Sequence, residues 1–555
     1  MKDMILTPWK RLLSLLDLER RDVRQVVYYA IFAGLVSLTL PLGIQAIINL
    51  IQGAQVSTSW IILVILVTLG VGFQGLLQYM QIRILENIQQ KIFMRSSFEF
   101  IYRMPKIKIE ELKNYYPPEL ANRFFDTITV QKNVAKILLD FPAASLQILF
   151  GLILLSFYHP FFIIYGILLI VILYVVFRIT FSEGLKTSLE ESNAKYKVAH
   201  WIQEVARSLI SFKLSGKTTM AMKKNDVLTA TYLNHREGHF KILKLQFIQM
   251  IGFKVLVTAG LLVIGGLLVL NQQMNIGQFV AAEIIILLVI NSVEKVIYGL
   301  EGFYDILTSL EKIGQVVDKE LETQEGIDPF HELHDLTMDL EGVSYKTPDG
   351  FKILKNVNLF LKSKDRIYLS GKSGSGKTTL LKIISGILTP TGGSMYVNDI
   401  SMKGVLPNKY RAHVGQVLPE QTPFEATIQE NITFGNPEIS HQELQDLLRN
   451  LGLLEFVKKQ SKGVNTIINP EGQKIPQTIA KRILIARAVI HNPKLLILKD
   501  VFENFESNEV EKLMKFLTHP DRPWALIISS HSESWKKYCT KEISLVNGES
   551  ITKSL

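Results

Sequence analysis

Cysteine is nearly missing from the 555 residues: Cys539 stands alone, which excludes an intrachain disulfide and fits a cytosolic position. Charge is thin as well, with 20% of residues Asp, Glu, Lys or Arg against 48% hydrophobic. Three stretches between apolar runs hold no formal charge at all: Gln52–Ser59, His159–Pro160 and Asn271–Gly277. Internal repeats and low-complexity tracts are also lacking. A net charge of +10 does not point to nucleic acid as a partner. The excess lies largely in loops and stretches flanking apolar runs, where membrane topology and anionic lipid account for it.

What the chain has in abundance is long apolar runs. Six of them, near 26–50, 60–81, 142–158, 161–180, 248–270 and 278–300, approach the roughly 20 residues a helix needs to cross a bilayer. The first is too long, and too poor in a small-residue cleavage site, to be a signal peptide. Lys10, Arg11, Arg20, Arg21 and Arg24 precede it and favour a cytoplasmic N-terminus. Six spans traced from there place the uncharged stretches outside and the charged segments, roughly 82–141 and 181–247, inside. Glu86–Arg103 carries Ile88, Ile92, Phe93 and Phe100 among charged neighbours, a helical period. Glu283 lies within the sixth run, with Glu294 and Lys295 near its inner end and Lys254 near that of the fifth. Glu283 is a candidate for the substrate path or proton coupling, or for a structural bond between helices. The expected organisation is an amphipathic lead-in (1–25), a membrane unit (26–315), an acidic linker (316–334) and an α/β domain (335–555).

In that last domain, Gly371-Lys372-Ser373-Gly374-Ser375-Gly376-Lys377-Thr378 satisfies the phosphate-loop pattern G-x-x-x-x-G-K-[ST]. A strand-like run, Arg366–Ser370, leads into it, and a helix-like run opens at Thr379. Glycines let backbone N–H groups turn onto phosphate oxygens, and the helix N-terminus adds favourable partial charge. Lys377 is placed to reach the β and γ phosphates, and the Thr378 hydroxyl to hold Mg²⁺. ATP is the expected ligand.

Six apolar runs followed by a P-loop domain resemble an ABC exporter half-transporter, over nearly the whole chain. The residues that carry the resemblance are Ile475–Ala488, then Asn492–Leu498, like the family's stretch from signature motif to Walker B strand. Thr427–Ile432 is similar to the segment after the Q-loop, and His531 stands at the switch histidine. Ile276–Phe279 and Trp201–Lys213 look most like exporters of the type I secretion and peptide group. The resemblance implies a multi-domain fold: an all-α six-helix transmembrane domain followed by an α/β P-loop ABC ATPase domain. It implies an inner-membrane position with the ATPase in the cytoplasm. It further implies a dimer with a second half-transporter, identical or different, and the possibility of a periplasmic adaptor and outer-membrane channel. Coupling helices are expected near Pro117–Phe124 and Trp201–Arg207; ordinary solvated helix is the alternative.

Against that pattern several positions carry different chemistry. Counting from Arg487, the metal-orienting aspartate falls at Lys499, and an ammonium repels Mg²⁺. Mg²⁺ is therefore an uncertain cofactor, and Lys499 either stands in for its charge or forms a salt bridge with a nearby carboxylate. The catalytic glutamate position holds Asp500, a candidate base one methylene shorter. Sliding the register by one makes Asp500 the metal ligand and leaves Val501 at the base position, so neither register has both groups. The signature Leu-Ser-Gly-Gly-Gln reads Ile475-Pro476-Gln477-Thr478-Ile479, and Pro419 occupies the Q-loop glutamine. Thr347 aligns with the adenine-stacking aromatic, which Tyr345 is expected to replace. His531 remains as a catalytic candidate. The expectation is an exporter subunit that binds ATP and hydrolyses it weakly or not at all. The alternatives are an ATP-sensing membrane scaffold or gated channel, and a fully active homodimeric ATPase.

Overall fold

The computed structural model describes residues 7–52, 58–113, 115–331 and 335–555. Most of the outer stretch 52–59 and residues 332–334 of the expected linker lie outside that set. The chain divides into two units: Met1–Lys106 with Asn114–Lys319, and Ile107–Lys113 with Glu320–Leu555.

The first unit is helical. It begins with α1 (Pro8–Leu18), α2 (Arg20–Ser37), α3 (Thr39–Gln52), α4 (Thr58–Arg103) and the short α5 (Pro117–Ala121). It continues with α6 (Asp126–Ser156), α7 (Phe161–Arg207), α8 (Leu209–Leu214), α9 (Met220–Leu270) and α10 (Ile276–Val317). Among the described residues, six helical stretches are long and apolar enough to cross a membrane: Arg20–Gln52, Thr58–Lys106, Pro117–Ser156, Phe161–Arg207, Met220–Leu270 and Ile276–Val317. They run well past the apolar runs. At 1.5 Å per residue the 46 residues of α4 extend about 69 Å, more than twice a hydrocarbon core of roughly 30 Å. The break between α2 and α3 follows from Pro41, which has no N–H for the Ser37 carbonyl; the Ser37 and Thr39 hydroxyls bond instead to the Gly34 and Val36 carbonyls. Close packing needs glycine in places: a Cβ at Gly184 would sit 2.4 Å from the buried Tyr304 ring.

Two expectations change here. Trp201–Arg207 is not a separate coupling helix but the last two turns of α7, and the detached short helix is α8. Residues 316 and 317 extend α10, and parts of the described linker beyond them are paired rather than free. Leu321 bridges Ile107, Ile327 bridges Val405, and the Lys108 N–H donates to the Glu320 carbonyl at 3.0 Å.

The second unit is α/β. Its strands are β1 (Thr337–Lys346), β2 (Lys352–Lys362), β3 (Arg366–Gly371), β4 (Gly392–Val397), β5 (Ile400–Ser401) and β6 (Val414–Val417). Then come β7 (Ala426–Thr427), β8 (Ile467–Ile468), β9 (Leu495–Lys499), β10 (Ala525–Ser529), β11 (Lys541–Val546) and β12 (Glu549–Ser554). A six-stranded sheet, order β12-β11-β3-β10-β9-β6, is parallel except for its β12 edge; β2-β1-β4-β5 form an antiparallel sheet. The helices are α11 (Lys377–Ile384), α12 (Pro407–Ala412), α13 (Ile428–Thr433), α14 (His441–Asn450), α15 (Leu454–Lys458), α16 (Gln477–Val489) and α17 (Ser507–Leu517). Strand alternation splits the core in two. Leu496, Leu498, Leu526 and Ile528 face one cluster, while Leu495, Ile497, Ala525 and Ile527 face the other. Burial on both faces is what a central parallel sheet requires. It also places the C-terminal ends of β3, β9 and β10 side by side, where α/β sheets bind ligands.

Candidate nucleotide site

The P-loop leaves β3 at Gly371 and enters α11 at Lys377. Gly374 and Gly376 adopt φ of +80° and +100°, and a Cβ at Gly376 would lie 2.7 Å from Leu354 Cδ2. Only glycine fits that bend without strain. Gly376 caps α11 with no side-chain hydrogen bond, which leaves first-turn N–H groups for an anion. Lys377 Nζ donates to the Gly371 and Lys372 carbonyls at 2.6 and 3.0 Å, so its ammonium lies along the loop that would carry phosphate. The Ser375 hydroxyl is buried without a hydrogen-bond partner among the described residues. These groups fit a polyphosphate. Thr378 and Thr379 follow on the half-buried first turn of α11.

Lys499 ends β9, in register with Ser529 on β10. Its Nζ lies 3.5 Å from Asp500 Oδ2, and the two side chains are 15% and 18% exposed. The carboxylate partner is thus the neighbouring candidate base itself. Asp500 sits at φ +50°, its N–H donating to the Ser529 carbonyl at 2.9 Å. Burial depresses the Lys377 pKa, the Lys499 charge depresses it further, and Asp500 opposes both. Two ammonium groups therefore share one field at the P-loop. The donor set for Mg²⁺ is mixed: the Thr378 hydroxyl is present, and the position that the resemblance gives to the metal carboxylate holds Lys499, with the Asp500 carboxylate beside it.

Asp500 and His531 come together, and Glu503 joins them: their ligand-type atoms all lie within 4.8 Å of one another. Glu503 carried no signal in the sequence beyond its spacing from Asp500. Glu420, directly after Pro419, pairs with Lys382 at 2.8 Å. Burial pushes the Glu420 pKa up, but the Lys382 hydrogen bond, a backbone bond and the Lys382 and Lys499 charges outweigh it and hold it low.

Pro476 is the N-cap of α16 and makes no capping hydrogen bond, so the signature segment offers no hydroxyl there. At the other end of α16, Arg487 donates to the Asn431 carbonyl and side chain at 2.6 and 2.8 Å, beside the stacked Phe424 and Phe434 rings. Burial lowers its pKa to about 10.

Tyr345 corrects an expectation. It is 4% exposed, packed in the core, and its hydroxyl accepts from Lys113 Nζ at 2.8 Å. Its ring is not presented for stacking on adenine, and Thr347 follows in the turn after β1, bonded to Phe351. In the first unit, Lys254 and Glu294 pair at 2.6 Å, while Glu283 is exposed on α10.

Residues 354–502 match the ABC transporter family. The alpha-hemolysin translocation ATP-binding protein HlyB of Escherichia coli O157:H7 is 28% identical over 304 residues, 55% of this chain and 43% of that protein. A putative export ATP-binding/permease protein of Rickettsia bellii is 23% identical over 433 residues, covering 78% and 75%. The leukotoxin translocation ATP-binding protein LktB of Mannheimia glucosida is 25% identical over 382 residues, covering 68% and 54%. The chain spans about half the length of the toxin-translocation relatives it matches. In fold it is similar to a bacterial Atm1-family ABC exporter with ATP bound, with a TM-score of 0.86 at 14% identity over 96% of this chain and 95% of the other. Residues 354–502 of the P-loop α/β unit thus carry an ABC transporter domain, and with an all-α unit of six membrane-length helices among the described residues the chain is similar to exporter-type half-transporters of that family.

Proposed function

We propose that this chain is the inner-membrane subunit of an exporter, that it binds ATP at Gly371–Thr379, and that it hydrolyses ATP weakly or not at all at its own site. One observation carries the reading: an ammonium, Lys499, stands where the metal-orienting carboxylate is expected and pairs with Asp500, the candidate base next to it. Positioning of metal and attacking water supplies most of phosphoryl-transfer catalysis, so a site with that ion pair is built to hold nucleotide rather than to cleave it. Pro476 weakens the other half of the composite site that a dimer partner would complete. A second half-transporter with intact motifs is the partner this arrangement calls for. The names of the toxin-translocation relatives favour a peptide or protein as cargo, with a periplasmic adaptor and outer-membrane channel as further partners; lipids and drugs are the other cargo classes for such a cavity.

The test is ATP binding and turnover by the purified full-length chain. Saturable binding abolished by Lys377→Ala, with turnover at background, supports the proposal; turnover comparable to an intact family member refutes it. The departures at Lys499, Pro476 and Pro419 also favour a second reading, an ATP-gated channel or sensing scaffold. Substrate flux into inverted vesicles without hydrolysis, and without a partner chain, would select it.

A further inference from the structure

A cavity of about 490 Å³ opens in the first unit, on the inner extensions of the helices and far along the chain from the P-loop. That volume is in the range of small-molecule sites. Its walls come from α5 and the turn after it, α7, α9 and α10. Four side chains on them are basic: Arg123, Lys197, Lys224 and Lys312.

Arg123 is the centre of the case. It is 5% exposed, and its Nε and Nη1 have no hydrogen-bond acceptor among the described residues. Only Nη2 is engaged, with Glu119 at 3.2 Å, while the guanidinium carbon lies 3.5 Å from the centre of the Tyr196 ring. Leaving donors of a buried guanidinium unmet is costly, and the planar fork matches the oxygens of a phosphate. Lys312 is 3% exposed and bonded to the Asn193 side-chain oxygen. At the rim, Lys224 lies 4.0 Å from the Trp201 ring centre, and Lys197 has no ion-pair partner among the described residues.

The acidic groups nearby are already committed. Glu119 takes Arg123 and sits 2.9 Å from His200; Glu204 pairs with Arg207; Asp126, behind the wall, accepts from the Tyr196 hydroxyl. Donors and positive charge therefore remain in excess. We infer that this cavity binds a phosphate-bearing small molecule, either soluble or presented as a lipid headgroup, and that the bound molecule joins the turn after α5 to α7, α9 and α10. Because Pro117–Phe124 lies in that wall, occupancy ties the expected coupling segment to the long helices.

Inorganic pyrophosphate is the probe. Full-length chain carrying Lys377→Ala, which disables the P-loop, is placed in nanodiscs of zwitterionic lipid and titrated calorimetrically. Saturable binding is expected, about tenfold weaker in the Lys197→Gln/Lys224→Gln variant, the equivalent of ~1.4 kcal/mol. Both lysines are exposed, and an unchanged melting temperature verifies that the variant folds. Arg123→Lys, which keeps the charge and removes the fork, should weaken binding by a similar factor. Absence of saturable binding, or equal affinity in parent and variants, overturns the inference. Repeating the titration with phosphatidylglycerol in the disc separates the sources: competition assigns the site to a headgroup, and its absence to a soluble phosphate.

Discussion

Replacing Lys499 by Asp converts an ion pair into two like charges at the point where metal and phosphate would meet. At 3.5 Å and an effective dielectric near 20, two unit charges interact by ~5 kcal/mol. The swap turns that attraction into repulsion. Both side chains are more than four-fifths covered, so solvent screens them only partly; rotamer relaxation still brings the residual repulsion to about 2–4 kcal/mol. Mg²⁺ bound between the two carboxylates would remove it. The expected result is a change in metal dependence. The natural chain should bind a fluorescent ATP analogue with affinities in EDTA and in Mg²⁺ that agree within about threefold, because Lys499 already supplies positive charge. Lys499→Asp should bind about 100-fold more weakly in EDTA than in Mg²⁺, a difference of ~2.7 kcal/mol. Equilibrium titration of the full-length protein reads both. A natural chain that loses 100-fold on chelation, or a variant indifferent to Mg²⁺, would refute the reasoning.

Gly376→Ala forces a Cβ to 2.7 Å from Leu354 Cδ2 at φ +100° and should cost ~1–3 kcal/mol in chemical denaturation, with loss of ATP affinity. Glu420→Gln tests the depressed carboxylate: its contribution is present above the unfolded pKa near 4.5 and disappears as pH falls through the lower folded value. The melting-temperature gap between Glu420→Gln and the natural chain should therefore be small but present at pH 7, since the side chain is 55% exposed, and should close as pH falls through the lowered folded value. Cys539 is buried, and burial pushes its pKa up to about 12, so maleimide labelling should be slow until the second unit unfolds; rapid labelling of folded protein contradicts the packing.

The parts legible in the sequence are those whose signal is local. Hydropathy marks a span, and the spaced glycines of Gly371–Gly376 mark a phosphate loop, without knowledge of anything distant. The long inner extensions of α4, α7 and α9 were harder to delimit, because a charged helix on the water side carries no hydropathy peak. The burial of Tyr345 follows from the alternation of β1, which an aromatic near a strand end does not reveal by itself. Met338, Leu340, Val343 and Tyr345 form the buried face of β1 across its bulge, and the strand ends at Lys346, before the position that would present a ring. Glu503 could not have been assigned, since its approach to Asp500 and His531 depends on two strand ends separated in the chain.

The departures at Lys499 and Pro476 act on different halves of a composite site, and that asymmetry separates the possible assemblies. In a homodimer each site would combine Lys499 from one chain with Pro476 from the other, losing metal orientation and signature contacts together. Paired with a chain of intact motifs, the site on the partner's P-loop would keep its own metal ligand and base and lose only the signature supplied here. Removing one transition-state hydrogen-bond donor costs roughly 10²–10³ in rate, whereas losing the metal ligand and base as well removes the chemistry almost entirely. Turnover by a mixed dimer should therefore exceed that of this chain alone by orders of magnitude. It should vanish when the partner's base is neutralised, and change little when Asp500 is replaced by Asn. If Asp500→Asn instead abolishes turnover in the mixed dimer, the hydrolytic site is the one carrying Lys499, and the assignment of this P-loop to nucleotide retention fails.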